Sequence, residues 1–290
     1  MTEMTRRLLH EAVEPNFDVP APPQDGDAEV SELTSIRVPI EGNTRLQAVL
    51  DRVNADPELF ALWHAANVNA VKRLGMSDHG PVHVQLIANI ALRLLRDVVA
   101  AGAVPNIVAD YAMTRDDAEV VVLLAALLHD VGMSIHRIEH EHFSLFIAAP
   151  KLKELLDGLY PPFAATIIRS EVLHAIIGHR SAGKPMTLEA GVVRVADALD
   201  MAKSRSRIPF EAGQVNIHSL SAAAVEQVVI ERGETKPIRI AITMSNSAGI
   251  FQVDELLKEK LRGSGIEQYV EVEAHVEGET EKRLLQVFRF

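Results

Sequence analysis

Residues 120–132 read VVVLLAALLHDVG, and their reading decides the fold. Val120 to Leu128 run without a polar break. The three valines alone would suit a strand, but the leucines and alanines of LLAALL favour a helix. A helix apolar on every side belongs at the centre of a bundle. Thr114, followed by Asp116 and Asp117, supplies its start: a hydroxyl for the free amides and acids at the positive end of the dipole. His129 and Asp130 end the apolar run, and Val131-Gly132 follow. A buried carboxylate beside a buried imidazole is costly unless each is paired or bound to a cation. Neighbours on a helix point about 100° apart, so these two converge on one point only where the backbone turns. Gly132 permits that turn, and open space beside the pair is the expectation.

Helical spacing extends to both sides. Asn43-Thr44 caps a helix to about Asn54, Asp56-Pro57 opens a second, and a longer one runs from Pro81 to near Gly102. Further pieces cover about 143–157, 163–178 and 188–204. Beyond 208 the texture changes. AVEQVVIERG, PIRIAITMS, YVEVEAHVEG and LLQVFRF are β-rich, and Ile250, Val253, Leu257 and Leu261 form a helical stripe between them, ending at Gly263. Strand–strand–helix–strand–strand is a small α+β layer. The predicted fold class is therefore mostly α, a helical bundle followed by a small C-terminal α+β domain. The predicted boundaries are an acidic, proline-rich, poorly ordered leader over 1–40, a helical domain over 41–207 and the α+β domain over 208–290.

Composition narrows the function. Of 290 residues 48% are hydrophobic, enough for a sizeable core. Lys and Arg number 29 against 40 acids, a formal net charge of −11. Such a chain has no general attraction for nucleic acid or an anionic membrane. With no cysteine there is no disulfide, thiolate site or cysteine nucleophile, so nitrogen and oxygen must hold any metal. No apolar run approaches the ~18 residues of a membrane span, and no secretory signal opens the chain, which reads as cytoplasmic. Dinucleotide, P-loop and serine-hydrolase signatures are absent from the sequence.

Twelve histidines remain, and nine fall in the helical region, His64 and a set of eight beyond it: His79, His83, His129, His136, His140, His142, His174 and His179. Asp197 breaks the apolar GVVRVADALDMA as Asp130 breaks the earlier run; Asp200, one turn on, lies nearer the basic KSRSR stretch. His83 opens the helix carrying Leu86, Ile87 and Ile90, so its ring is expected to face the same core. Two imidazoles with two carboxylates suit Mn²⁺, Fe²⁺, Co²⁺, Ni²⁺ or Zn²⁺ better than Ca²⁺, with Mg²⁺ also admitted.

His83 at a helix start, His129-Asp130 in LLHDVG and Asp197 in VADALD resemble the H…HD…D pattern of HD-domain metal-dependent phosphohydrolases, over about residues 76–205. The strings NVNAVKRLGMSDHGPVH, VADALDMAKSR and MSNSAGIFQVDELL resemble a less-studied branch with an added C-terminal domain. The resemblance implies a helical bundle holding a divalent metal on His83, His129, Asp130 and Asp197, with metal-activated water attacking a small phosphorylated substrate, a nucleotide by preference. Asp130 would hold that water as well as the metal. Met133 stands where many members carry lysine or glutamate, and the missing GYP triplet argues against the cyclic-di-GMP branch. One or two metals per chain are compatible with it. His140, His174 and His179 are candidates for a second metal or for substrate, and His79 for the pocket rim. His136 and His140, at i and i+4, share a face if that piece is helical. A phosphate needs countercharge, for which Arg137, Arg180, Lys203, Arg205 and Arg207 are placed by sequence; Arg137 and Lys203 join Asp130 as catalytic candidates. Two alternatives stand beside the hydrolase: a di-iron oxygenase on the same scaffold, and a metal- and nucleotide-binding regulator without turnover. The C-terminal domain shows no chemistry of its own, and its sheet edge suits a homodimer.

Overall fold

The computed structural model describes residues 35–180, 183–201, 217–277 and 287–289. Residues 1–34 of the expected leader lie outside that set, as do Lys203, Arg205 and Arg207. Residues 35–40 are extended and packed: Ile36 is buried, its amide donates to Asn54 Oδ1 (2.8 Å), and Asn54 Nδ2 donates back to its carbonyl (2.9 Å).

The helices are α1 (Thr44–Asn54), α2 (Pro57–Asn67, continued by a π-type turn Val68–Arg73), α3 (Pro81–Ala100), α4 (Asn106–Tyr111), α5 (Arg115–Leu128), α6 (His140–Leu156), α7 (Pro162–Gly178) and α8 (Leu188–Leu199). The apolar run is α5, central as its composition requires, packed against α1, α3, α7 and α8. Thr114 caps it through a reciprocal pair: Asp117 N donates to Thr114 Oγ1 (3.3 Å) and Thr114 N to Asp117 Oδ2 (2.9 Å). Two expected bounds differ. The helix expected over 188–204 stops at Leu199, because Asp200 leaves helical geometry, and α6 starts at His140 rather than about 143.

Helix α9 (Ile217–Ala224) leads into β1 (Val225–Arg232) and β2 (Ile238–Met244). A helical segment, Ser247–Gly249 and then Gln252–Leu257 continuing as α10 (Lys258–Leu261), precedes β3 (Val270–Val276) and β4 (Val287–Arg289). The sheet order is β1-β2-β3-β4, with β2 and β3 parallel and the outer pairings antiparallel. A parallel pair needs a crossover, which the helical segment supplies. Ile240 opposite Val272 and Ile242 opposite Ala274 line the buried face, and the helix buries Val253, Leu257 and Leu261. This is the expected α+β layer. It meets the bundle closely where an ideal Cβ on Gly191 of α8 would stand 1.7 Å from Ser264 O, so only glycine fits there. Among the described residues no helix is long and apolar enough to cross a membrane.

Candidate metal centre

The C-terminal end of α5 sets the cluster. His129 keeps helical dihedrals and Asp130 leaves them (φ −107°, ψ 5°), so both side chains face one point. His83 reaches it from the first turn of α3 and Asp197 from α8. The Nε2 atoms of His83 and His129 stand 3.2 Å apart, and each is 3.4 Å from Asp130 Oδ2. Asp197 Oδ1 lies 3.9 Å and 3.7 Å from the same two nitrogens. Ligand atoms ~2.1 Å from one cation stand roughly 3–3.5 Å from one another, the range in which His83, His129 and Asp130 already lie, with Asp197 Oδ1 somewhat further from the two imidazoles. Two imidazole nitrogens facing each other at that distance need a proton or a cation between them.

A second group sits on the other oxygen of Asp130. His140 Nε2 is 3.0 Å from Oδ1 and His179 Nε2 is 3.7 Å from it. Three sets of donors are each compact enough to hold a cation: His83, His129 and Asp130; His129, His179 and Asp197; Asp130, His140 and His179.

The rings are aimed by what their Nδ1 atoms touch. His83 Nδ1 is 2.6 Å from Asp200 Oδ2, His129 Nδ1 2.8 Å from Ala126 O, and His179 Nδ1 2.6 Å from Ile176 O. An Nδ1–H donating to each oxygen leaves the Nε2 lone pair directed into the cluster. His140 differs, because its Nδ1 is 2.8 Å from Arg137 Nη1 and 3.1 Å from Arg137 O.

The electrostatics follow from burial and proximity. Burial disfavours the His129 imidazolium, but Asp130 and Asp197 outweigh it and push its pKa up to about 10. Burial raises Asp130, and the His129 charge with hydrogen bonds from His140 and His83 holds it well below the carboxylate range. Asp197 is held well below that range against burial, first by Lys260. His179 falls to about 4 through burial and the neighbouring His129 charge.

Of the candidates read from sequence, the structure brings together His83, His129, Asp130, Asp197, His140 and His179. His79 sits at the edge, its Nε2 3.9 Å from Asp130 Oδ2 and its Nδ1 2.7 Å from Ser77 O. Arg137 reaches the cluster through His140. His174 stands apart, its Nε2 accepting from Met186 N (2.9 Å). His136 is exposed, because the chain from Ile135 to Glu139 is not helical and α6 begins only at His140, so the face expected at i and i+4 does not form.

Two expectations are corrected. The room expected beside Gly132 is filled: an ideal Cβ there would lie 2.0 Å from His140 O and 2.4 Å from Ser144 N. The glycine thus lets α6 press against the α5 end and brings His140 to Asp130. Ser144 fastens the contact, its Oγ accepting from Gly132 N (2.9 Å) and donating to His129 O (2.6 Å). The C-terminal layer, expected to carry no chemistry, sends Lys260 to Asp197 Oδ2. Nothing in the spacing or pattern around Lys260 marks it. Asp200 was signalled by its place one turn after Asp197, and its role is to hold His83. Met133 is buried in a small apolar group with Ala66 and Ala70, against which the partly buried Met76 packs.

The HD-domain family model matches residues 82–202, from just before His83 to just past Asp200. Residues 82–202 thus form an HD domain, and the clustered histidines and aspartates are consistent with that family's metal-binding motif. MJ1020, an uncharacterised protein of Methanocaldococcus jannaschii, is 41% identical over 231 residues, 80% of this chain and 89% of that protein. Ribonuclease Y of Acholeplasma laidlawii is 25% identical over 171 residues, 56% of this chain and 29% of that one. No solved structure is significantly similar to the chain.

Proposed function

We propose that the chain hydrolyses a small phosphoester, with nucleotides as the preferred class, at a centre of one or two first-row divalent cations. The observation that carries the reading is the two-sided placement of Asp130. Its Oδ2 is 3.4 Å from His83 and His129, and its Oδ1 is 3.0 Å from His140 and 3.7 Å from His179. A carboxylate between two imidazole pairs is suited to serve both halves of a two-cation centre.

His83, His129, Asp130 Oδ2 and Asp197 Oδ1 would hold one cation; Asp130 Oδ1, His140 and His179 would hold the other. Divalent cations supply Lewis acidity toward a phosphoryl oxygen and toward water. Asp200 and the carbonyls of Ala126 and Ile176 keep three imidazoles in the tautomer that presents Nε2. His140 is aimed differently: both Nη1 and the carbonyl of Arg137 lie against its Nδ1, and its Nε2 stands 3.0 Å from Asp130 Oδ1. Arg137 supplies positive charge beside it.

The net charge of −11 disfavours a long polyanion and favours a compact phosphoester. One relative's name, Ribonuclease Y, identifies that protein as a nuclease, so phosphodiesters belong in the substrate set. The test is a panel of p-nitrophenyl phosphate, bis-p-nitrophenyl phosphate, nucleoside mono- and triphosphates, cyclic nucleotides and short RNA, each with Mn²⁺, Co²⁺, Ni²⁺, Zn²⁺ or Fe²⁺. The reading expects turnover of a small ester that EDTA and Asp130→Ala both abolish. Absence of turnover across the panel by metal-loaded protein, or turnover that survives Asp130→Ala, would overturn it.

A further inference from the structure

The helix carrying Lys260 belongs to the α+β layer, yet its position is fixed by the bundle. Arg194, one turn before Asp197 on α8, is buried, and its Nε donates to Lys260 O (3.1 Å). Arg194 Nη1 donates to the carbonyls of Arg180 (2.8 Å) and Gly183, just past His179. The close approach of Gly191 to Ser264 seats the same pair of segments a second time. The direction of Lys260 is therefore no accident of a long side chain. Lys258, two residues earlier, turns instead to Asp254 (2.7 Å).

Lys260 Nζ donates to Asp197 Oδ2, and both side chains are largely buried. Asp197 Oδ1, the other oxygen, faces His83 and His129. An oxygen that receives an ammonium is disfavoured as a cation ligand, because one lone pair is taken and the two positive charges repel. We infer that Lys260 is a positioning residue that holds Asp197 to one-oxygen coordination and so keeps a coordination position of the centre open for substrate. The inference rests on the metal-centre reading above and assigns to the C-terminal layer a direct part in it.

Cobalt(II) reports coordination number through its visible absorption, which weakens as ligands are added. Wild type, Lys260→Met, Lys260→Arg and, as a control on the same helix, Lys258→Met are each loaded with Co²⁺ and titrated calorimetrically. In Lys260→Met, Asp197 is free to chelate through both oxygens, so its absorptivity should fall roughly twofold or more. Its Co²⁺ affinity should not weaken, since a like charge has been removed. Lys260→Arg and Lys258→Met should keep the wild-type spectrum. A wild-type spectrum in Lys260→Met overturns the inference, as does loss of cobalt from that variant or an equal change in Lys260→Arg. A crystal structure of cobalt-loaded wild type tests it without any variant. Cobalt on Oδ1 with Nζ on Oδ2 supports it, and both oxygens on cobalt overturn it. Failure of wild type to bind cobalt at all sinks the metal-centre reading itself, a different result from any of these.

Discussion

Alanine at Gly132 should split the cluster in two. Its Cβ would stand 2.0 Å from His140 O, 2.4 Å from Ser144 N and 2.9 Å from Phe143 C. Non-bonded carbon contacts are comfortable at about 3.5 Å, so the His140 carbonyl must retreat by more than about 1 Å. All three clashing atoms are backbone in the first turn of α6, so no change of side-chain rotamer relieves them. The start of the helix must move, breaking the Gly132–Ser144–His129 hydrogen bonds and carrying His140 Nε2 off Asp130 Oδ1. Overpacking of this kind costs about 1–3 kcal/mol. At roughly 2–4 °C per kcal/mol for a unit of this size, the melting temperature should fall by about 2–12 °C. Calorimetry gives that number, and a Co²⁺ or Mn²⁺ titration gives the second expectation: binding on the His140–His179 side is lost while the His83–His129–Asp197 side survives. Gly178→Ala is the matched control, at the end of α7 beside His179, where the nearest atom to an added Cβ is Ala190 Cβ at 3.6 Å. It should be neutral or stabilising by up to about 1 kcal/mol through helix propensity. A Gly132→Ala protein with wild-type melting and wild-type metal stoichiometry would refute the reasoning, as would equal losses in the two variants.

Other outcomes follow from single contacts. Asp200→Asn weakens the hold on His83 Nδ1 and should lower metal affinity by about 10–100-fold with circular dichroism unchanged; unchanged affinity would remove Asp200 from the centre. Asp117 is held below its ordinary value of 3.8: burial raises it, and the amide and hydroxyl of Thr114 with Arg45 and Tyr160 more than offset this. A depressed carboxyl gives stability that is present above 3.8 and lost as pH falls through the lower folded value. The urea midpoint of wild type should therefore exceed that of Asp117→Asn at pH 7, with the gap closing in acid; a gap constant down to pH ~2 contradicts the assignment. Ile36→Ala should cost about 2–4 kcal/mol, read from the same urea curves, and a loss below ~1 would show that residues 35–40 are not integral to the core.

Legibility in the sequence tracked how local each cause is. Asp130 and Asp197 announce themselves because a carboxylate inside an apolar run has few inexpensive explanations, and the capping box of α5 is written in Thr114 and Asp117. His83 is legible from the apolar stripe it opens. The second half of the cluster is less so. His174 and His179 are five residues apart, about 140° around a helix, so one can face Asp130 while the other faces the 186 loop; the sequence does not say which. His140 depends on Gly132 admitting α6, a close approach that reads in sequence only as a turn. Lys260 is invisible to pattern, because its partner lies across a contact made by Gly191, Ser264 and Arg194. The strand–strand–helix–strand–strand order was readable, but the parallel β2–β3 pairing was not drawn from it, although a helix between two strands permits that crossover.

The most direct test of the metal-centre account is elemental analysis of the purified chain, wild type beside Asp130→Ala, after loading with Mn²⁺, Co²⁺, Ni²⁺, Zn²⁺ or Fe²⁺ and removal of excess. Since Asp130 touches both histidine pairs, wild type should retain one or two equivalents per chain and the variant none, with helical content unchanged. Retention of a full complement by Asp130→Ala, or none in loaded wild type, would contradict the account.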